Sequence, residues 1–360
     1  MHFVFIVQGE GRGHMTQAIS LRNMLVQNGH EVKAVLVGQS ARREIPHFFI
    51  EKIKSKVIGF ESPNFVLDSK KKGLRIAESF RVNLMKSRTF WSNLHVIDQT
   101  VQQHQPHVVV NFYDLLAGIY SFCYKDKRKF KFVCVGHQLL FEHSGFEFTR
   151  KRKIEKNLLR LHTRITTSKS DLNLGLSFVT MPHEPKKRLY VVPPLLRNEV
   201  LSQKSEDKNF LLGYMVNEGY AEDIIAWHSR HKHISLVCFW DKKEAKDPYC
   251  PHENLVFYQL NDERFVEHMR TCSGYLSTAG FESICEAMYW GKPILMVPTA
   301  HHYEQLCNSL DATKAGAGIS HDKFDISLLM EYIPRHKNRQ NEFQEWVQRA
   351  ETIFMQLLTQ

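Results

Sequence analysis

Between Ser277 and Gly318 the chain reads STAGFESICEAMYWGKPILMVPTAHHYEQLCNSLDATKAGAG, and its polar residues are spaced for one kind of chemistry. Ser277, Thr278, Ala279 and Gly280 are small, so a ligand can come close to their backbone. A helix behind them turns free N–H groups and its positive dipole end toward that ligand, which favours an anion such as a phosphate. Glu282 and Glu286 lie four residues apart and share a helix face, and a carboxylate at that depth accepts two ribose hydroxyls. Glu304 and Gln305 open the next helix and can hold the hydroxyls of a sugar. Phosphate donors, a ribose acceptor and sugar acceptors, in that order, are what a nucleotide-sugar requires. Any nucleotide-type unit with a glycine turn and a satisfied helical Glu shares part of this pattern, and the spacing of all the parts narrows it.

The elements that must position these residues follow from the same stretch. Tyr275-Leu276 closes an apolar run, and the small residues make a tight turn. Ile284, Ala287, Met288 and Trp290 form the apolar stripe of a helix that Gly291 stops, with Pro293 two residues beyond. Ile294–Val297 reads as a buried parallel strand, Pro298 ends it, and a second helix runs from Tyr303 to Ala315.

A second candidate site lies at the start of the chain. His2–Val7 is a strand, Gln8 to His14 a glycine-rich turn, Met15–Gln27 a helix and Glu31–Val37 the next strand. Gly9, Gly11 and Gly13 run G-x-G-x-G, not the G-x-G-x-x-G of dinucleotide folds, and no acidic residue closes the second strand. NAD and FAD are thereby excluded, and the missing Walker lysine excludes a P-loop for ATP. The loop Gly9, Gly11, Arg12, Gly13 is left to face an acceptor or a phosphate. His14 stands at a helix N-terminus, where the dipole disfavours the cation and keeps imidazole neutral and able to act as a base. Capping the loop is its plainer role. Asp114 follows the strand Pro106–Asn111, where open α/β sheets place ligands, and either orients His14, serves as the base, or caps the next helix. His137 ends the strand Phe130–Val135 in the same position and is a further candidate for acceptor contact.

Residues 8–17 and 277–318 resemble the corresponding segments of GT-B glycosyltransferases, above all the MurG-like group, family twenty-eight. The resemblance implies an α/β GT-B fold: two Rossmann-like domains with parallel sheets facing across a cleft, and a C-terminal helix crossing back. It assigns the donor diphosphate to Ser277–Gly280, the ribose to Glu286, and the donor sugar to Glu304 and Gln305. His14 would face the donor across the cleft, and Asn217, in the first loop of the second half, would face the diphosphate beside Gly280. Uridine diphosphate is the expected nucleotide, and a hydroxyl of a glycan or lipid-linked acceptor the expected nucleophile. Transfer would invert the sugar. No cofactor is expected, and without a D-x-D anywhere no metal either.

At 360 residues, 43% hydrophobic and 24% charged, the chain suits two globular domains. The expected division is 1–200 for the acceptor side, 201–338 for the donor side, and 339–360 for the returning helix, with Gln203–Lys208 as the linker. Seven cysteines without a Cys-x-x-Cys pair indicate a reducing compartment, and MHFVFIVQGEG reads as a first strand, not a signal peptide. The expected location is cytoplasmic, at most at the inner face of the plasma membrane. A net charge of +10 suits anionic substrates, an anionic membrane surface or nucleic acid, and nucleic acid is not expected. Basic residues accompany the helical pattern Leu74–Gln103 and the stretch Arg150–Arg164, which permits peripheral contact with membrane as well as a solvated face. Thr163–Ser168 and Leu189–Val192 read as the last strands of the first half. His228, His231 and His233 lack the Cys or carboxylate partners of a metal site. The competing functions are a non-hydrolysing nucleotide-sugar epimerase and a non-catalytic basic binding protein.

Overall fold

The computed structural model describes residues 1–40, 44–62, 87–149, 152–215, 218–242 and 244–359. Its first half is a sheet of seven parallel strands: β1 (His2–Gln8), β2 (Glu31–Gln39), β3 (Lys56–Glu61), β4 (Val108–Phe112), β5 (Lys131–Gly136), β6 (Leu172–Leu176) and β7 (Leu189–Val192). Their order is β3-β2-β1-β4-β5-β6-β7. Phe3–Val7 and all of β4 are buried, as apolar runs must be when helices cover both faces of a sheet. Those helices are α1 (Arg12–Gln27), α2 (His47–Ile53), α3 (Ser87–His104), α4 (Leu115–Cys123), α5 (Lys153–Thr166) and the short α6 (Asn198–Leu201).

The second half repeats the plan with β8 (Leu211–Tyr214), β9 (Leu236–Trp240), β10 (Tyr249–His252), β11 (Leu255–Gln259), β12 (Gly274–Ser277), β13 (Ile294–Met296) and β14 (Gly318–Ser320). The order is β10-β11-β9-β8-β12-β13-β14, with β10 the antiparallel edge strand. The helices are α7 (Ala221–His228), α8 (Asp262–Thr271), α9 (Phe281–Tyr289), α10 (Tyr303–Lys314), α11 (Ile326–Tyr332), α12 (Gln340–Gln348) and α13 (Ala350–Thr359). In each sheet the order reverses beside the first strand, between β1 and β4 and between β8 and β12. The crevice beyond the carboxyl ends of those strands is where such sheets receive ligands, so the loops after β1 and β12 are the ones to examine.

The last two helices join the halves. Gln340 and Gln344 donate to the carbonyl of Tyr289 in the second half, at 3.1 and 2.8 Å. Trp346 Nε1 donates to Ser177 O at 2.9 Å and Lys131 Nζ to Leu357 O at 3.0 Å, both reaching the first half.

Two expectations change. Thr163–Thr166 ends α5, and the strand is Leu172–Leu176. The β-branched residues favour a strand locally. Their hydroxyls bond back along the helix instead, Thr163 to Leu159 O and Thr167 to Thr163 O. The terminal helix is two helices meeting at Arg349. Of the helix expected over Leu74–Gln103, only the part from Ser87 is described, and it is helical; residues 63–86 lie outside the described residues.

Candidate active site

The loop after β1 is shaped by its glycines. A Cβ on Gly9 would sit 2.8 Å from Gly38 O, and one on Gly13 would sit 3.4 Å from the Cβ of Glu282, so these positions let the strand pair close and the two lobes meet. Gly11 begins α1 with no side-chain cap, leaving the first N–H groups of the helix free of one. Arg12 lies over the ring of Phe48, 5.3 Å away, and lines a groove of about 480 Å³ between the lobes with Lys52, Leu260 and Asp262.

His14, in the first turn of α1, is buried and lies near-parallel to Tyr113 with ring centroids 6.0 Å apart. Burial pushes its pKa down to about 4, against a weaker pull upward from Gln17, so the ring is neutral near pH 7. Its Nδ1 is 3.3 Å from Gln17 Oε1 and its Nε2 is 3.4 Å from Gln138 Nε2. Both amides are anchored on the opposite lobe: Gln17 Nε2 donates to Glu282 Oε2 at 3.0 Å, and Gln138 Nε2 to Glu304 Oε1 at 2.9 Å. His14 therefore sits where the two halves touch.

Across the contact, Ser277 ends β12, Ala279 takes a positive φ of 60°, and Gly280 begins α9 without a side-chain cap. A non-glycine residue with that φ is strained, and such strain concentrates at sites. Ser277 Oγ accepts from the N–H of Ala279, and Asn308 Nδ2 donates to the Ala279 carbonyl. Several polar atoms buried around this turn have no hydrogen-bond partner, among them Glu282 Oε1, Gln138 Oε1, Asn308 Oδ1 and Thr299 Oγ1. Unsatisfied buried polar atoms are costly, and these come from both lobes.

Glu282 and Glu286 are both buried on α9, as their spacing required, but their partners differ. Burial, then the neighbouring Glu286 charge, lifts the Glu282 carboxyl to about 8. Glu286 is turned inward, 1% exposed, and its Oε1 accepts from Arg197 Nε at 2.6 Å. Burial raises its pKa and Arg197 pulls it back. Arg197 also pairs with Asp262, which with Glu199 holds Lys52 of α2 at 2.6 and 2.7 Å. Burial opposes the Arg197 charge, and these carboxylates outweigh it. Gln305 is likewise occupied, its Oε1 accepting the Thr299 N–H at 2.8 Å.

Two expected positions take structural parts. Asp114 caps α4, accepting from Ala117 N at 3.0 Å, and is fully buried behind Gly38. It makes no hydrogen bond to His14, whose Nδ1 faces Gln17. His137 donates Nδ1–H to Leu176 O at 2.8 Å and stacks on Phe281 of the other lobe at 4.2 Å, 1% exposed. It packs the lobes together, with Asp311 3.7 Å from its Nε2. Asn217 lies outside the described residues. Sequence reasoning missed Gln17, Gln138 and Arg197. Gln17 had a signal, standing one turn from His14, and Gln138 follows His137 at a strand end. Arg197 had none.

Two parallel-sheet Rossmann-like lobes, switch points facing each other and a terminal helix pair bridging them define the GT-B class of glycosyltransferases. Residues 1–335 match the Glycosyl transferase family 1 pattern, and the chain belongs to that family. Solved structures agree in fold. The chain is similar to the kitacinnamycin glycotransferase, at a TM-score of 0.67 and 13% identity with 99% of each chain covered. It is also similar to the spinosyn rhamnosyltransferase SpnG complexed with thymidine diphosphate, at 0.61 and 12% with 100% of each covered. MurG of Acinetobacter baumannii superposes at 0.58 and 12%, with 99% of each covered. No curated protein matches in sequence.

Proposed function

We propose that this glycosyltransferase moves a hexosyl or N-acetylhexosaminyl group from a nucleoside diphosphate sugar, with uridine as the base, to a hydroxyl of a cell-envelope glycan or glycolipid. The observation that carries the reading is His14, neutral and buried at the lobe contact, opposite the uncapped start of α9. In this reading His14 takes the acceptor proton, the oxygen attacks the anomeric carbon from the face opposite the leaving group, and the sugar inverts. The diphosphate departs toward the turn Ser277–Gly280 and the uncapped N–H groups at the start of α9, an arrangement that stabilises charge without a cation. Glu304 and Gln305 meet the donor sugar. The ribose hydroxyls take Glu286 in exchange for Arg197 as the lobes part, and Asn217 lies toward the diphosphate. The Gly9–Gly13 loop faces the acceptor.

The lipid-linked side of the proposal is supported by α5. Ile154, Leu158 and Leu161 are 74%, 41% and 54% exposed along one stripe of that helix, with Lys153, Arg160 and Arg164 flanking it. An apolar stripe edged by basic residues fits the surface of an anionic membrane. No helix among the described residues is long and apolar enough to cross one. We place the enzyme in a reducing compartment, consistent with seven free cysteines.

Calorimetry of the purified protein against nucleotides and nucleotide-sugars tests the reading, followed by turnover with candidate acceptors and determination of the anomeric configuration of the product. Glu286→Ala should abolish donor binding, and binding by the wild type should depend little on salt. Binding that survives the substitution and falls steeply with salt would identify a basic binding protein instead. Release of free epimer without acceptor would identify an epimerase. Turnover lost to chelator and restored by Mn²⁺ would overturn the metal-free leaving-group step.

A further inference from the structure

We propose that Gln17 and Glu282 are positioning residues that fix the ring tautomer of His14 when the lobes meet, so that contact with the donor lobe arms the base. This rests on the reading of His14 as the base. A primary amide has one end that only donates and one that only accepts. Gln17 spends its nitrogen on Glu282 Oε2 at 3.0 Å, which leaves its oxygen toward His14 Nδ1 at 3.3 Å. That oxygen can only accept, so Nδ1 carries the proton and Nε2 keeps the lone pair.

The far side of the ring agrees. Gln138 Nε2, held by Glu304 Oε1 at 2.9 Å, approaches His14 Nε2 at 3.4 Å, and an N–H facing that atom requires a lone pair there. Two amides on different elements, each anchored by a carboxyl of the other lobe, therefore assign the same tautomer. In its neutral form Glu282 can carry its proton on Oε1, the oxygen without a partner, and still accept through Oε2. Asp114, one candidate for orienting the ring, caps α4 through Oδ1 and makes no hydrogen bond to His14.

Gln17 shares a helix with His14, whereas Glu282 belongs to the opposite lobe. When the lobes separate, Gln17 is free to turn either end toward Nδ1 and the tautomer is no longer set. Proton abstraction is then confined to the closed enzyme, where the activated sugar is shielded from water.

The test is the tautomer itself, read from long-range ¹H–¹⁵N spectra of ¹⁵N-histidine-labelled protein, with His14 assigned by the signals lost in His14→Asn. The wild type should show the Nδ1–H form. Glu282→Leu removes the acceptor that holds the Gln17 nitrogen, so Gln17 can turn either end toward Nδ1 and the ring should lose the pure Nδ1–H form. In Gln17→Leu the ring should show a mixture, with kcat down between about 10-fold and 10⁴-fold and the donor KM nearly unchanged. Adding Gln17→Glu to Glu282→Leu restores an acceptor for Nδ1–H and should recover the Nδ1–H form. An Nε2–H ring in the wild type, or an unchanged tautomer and kcat in folded Gln17→Leu and Glu282→Leu, overturns the proposal while leaving His14 as the base. Full turnover by His14→Ala overturns the base reading, and the relay with it.

Discussion

Arg197 holds Glu286 through a single contact, Nε to Oε1 at 2.6 Å, with both side chains buried. Removing one partner of a buried pair strands the other charge, which costs far more than the pair is worth when intact. Arg197→Ala leaves Glu286 uncompensated, while Asp262 keeps Lys52, and should lower the unfolding free energy by about 3–5 kcal/mol, measured in urea. A loss below about 1 kcal/mol is the size of an exposed pair and would mean that water reaches Glu286.

His14→Ala should reduce kcat by about 10²–10⁴-fold, the usual worth of a general base, with the donor dissociation constant within about twofold of the wild type. Stopped assays and calorimetry separate the two effects. An equal loss in both would place His14 at the donor and not at the proton.

Glu282 makes stability depend on pH with a definite sign. Its carboxyl is lifted from 4.5 to about 8, so the folded chain keeps a proton that the unfolded chain releases. Stability therefore falls as pH rises through that window, by up to about 1.4 kcal/mol per unit. Below pH 6.5 the buried His14 and His137 and the half-buried His162, each held near 4, add a slope of opposite sign, because there the unfolded chain takes up the protons. Urea midpoints should drop between pH 6.5 and 8, and Glu282→Gln should flatten that drop. An equally steep drop in the variant would move the effect elsewhere.

Replacing Ile154, Leu158 and Leu161 together by Asn should abolish sedimentation with vesicles rich in anionic lipid and leave turnover on a water-soluble acceptor within about twofold. These residues are solvated in the free protein, so the unfolding midpoint should hardly move. Unaltered vesicle binding would take the membrane surface away from this helix.

Much of the fold was legible because buried parallel strands leave apolar runs. Phe3–Val7, Val108–Val110 and Ile294–Met296 declared themselves this way. Gly291, at φ 67°, ended its helix where the sequence required. β6 was missed since Leu172–Leu176 carries Asn173 and Gly175 and reads as a weak strand beside a threonine-rich helix end. At the site, residues fixed by local spacing were readable: the turn at Ser277–Gly280, and His14 at the start of α1. What escaped was set by partners far along the chain. Gln17 finds Glu282, Gln138 finds Glu304 and Arg197 finds Glu286, and such meetings imprint no period on the sequence. Asp114 was ambiguous because a helix cap and a ligand contact demand the same residue in the same place.

The helix pair at the tail limits how the enzyme can move. Gln340 and Gln344 clasp one lobe, while Trp346 and the carbonyl of Leu357 are fastened to the other. The halves are thus pinned along one side, and admitting a donor means swinging like a book on its spine, not drawing apart.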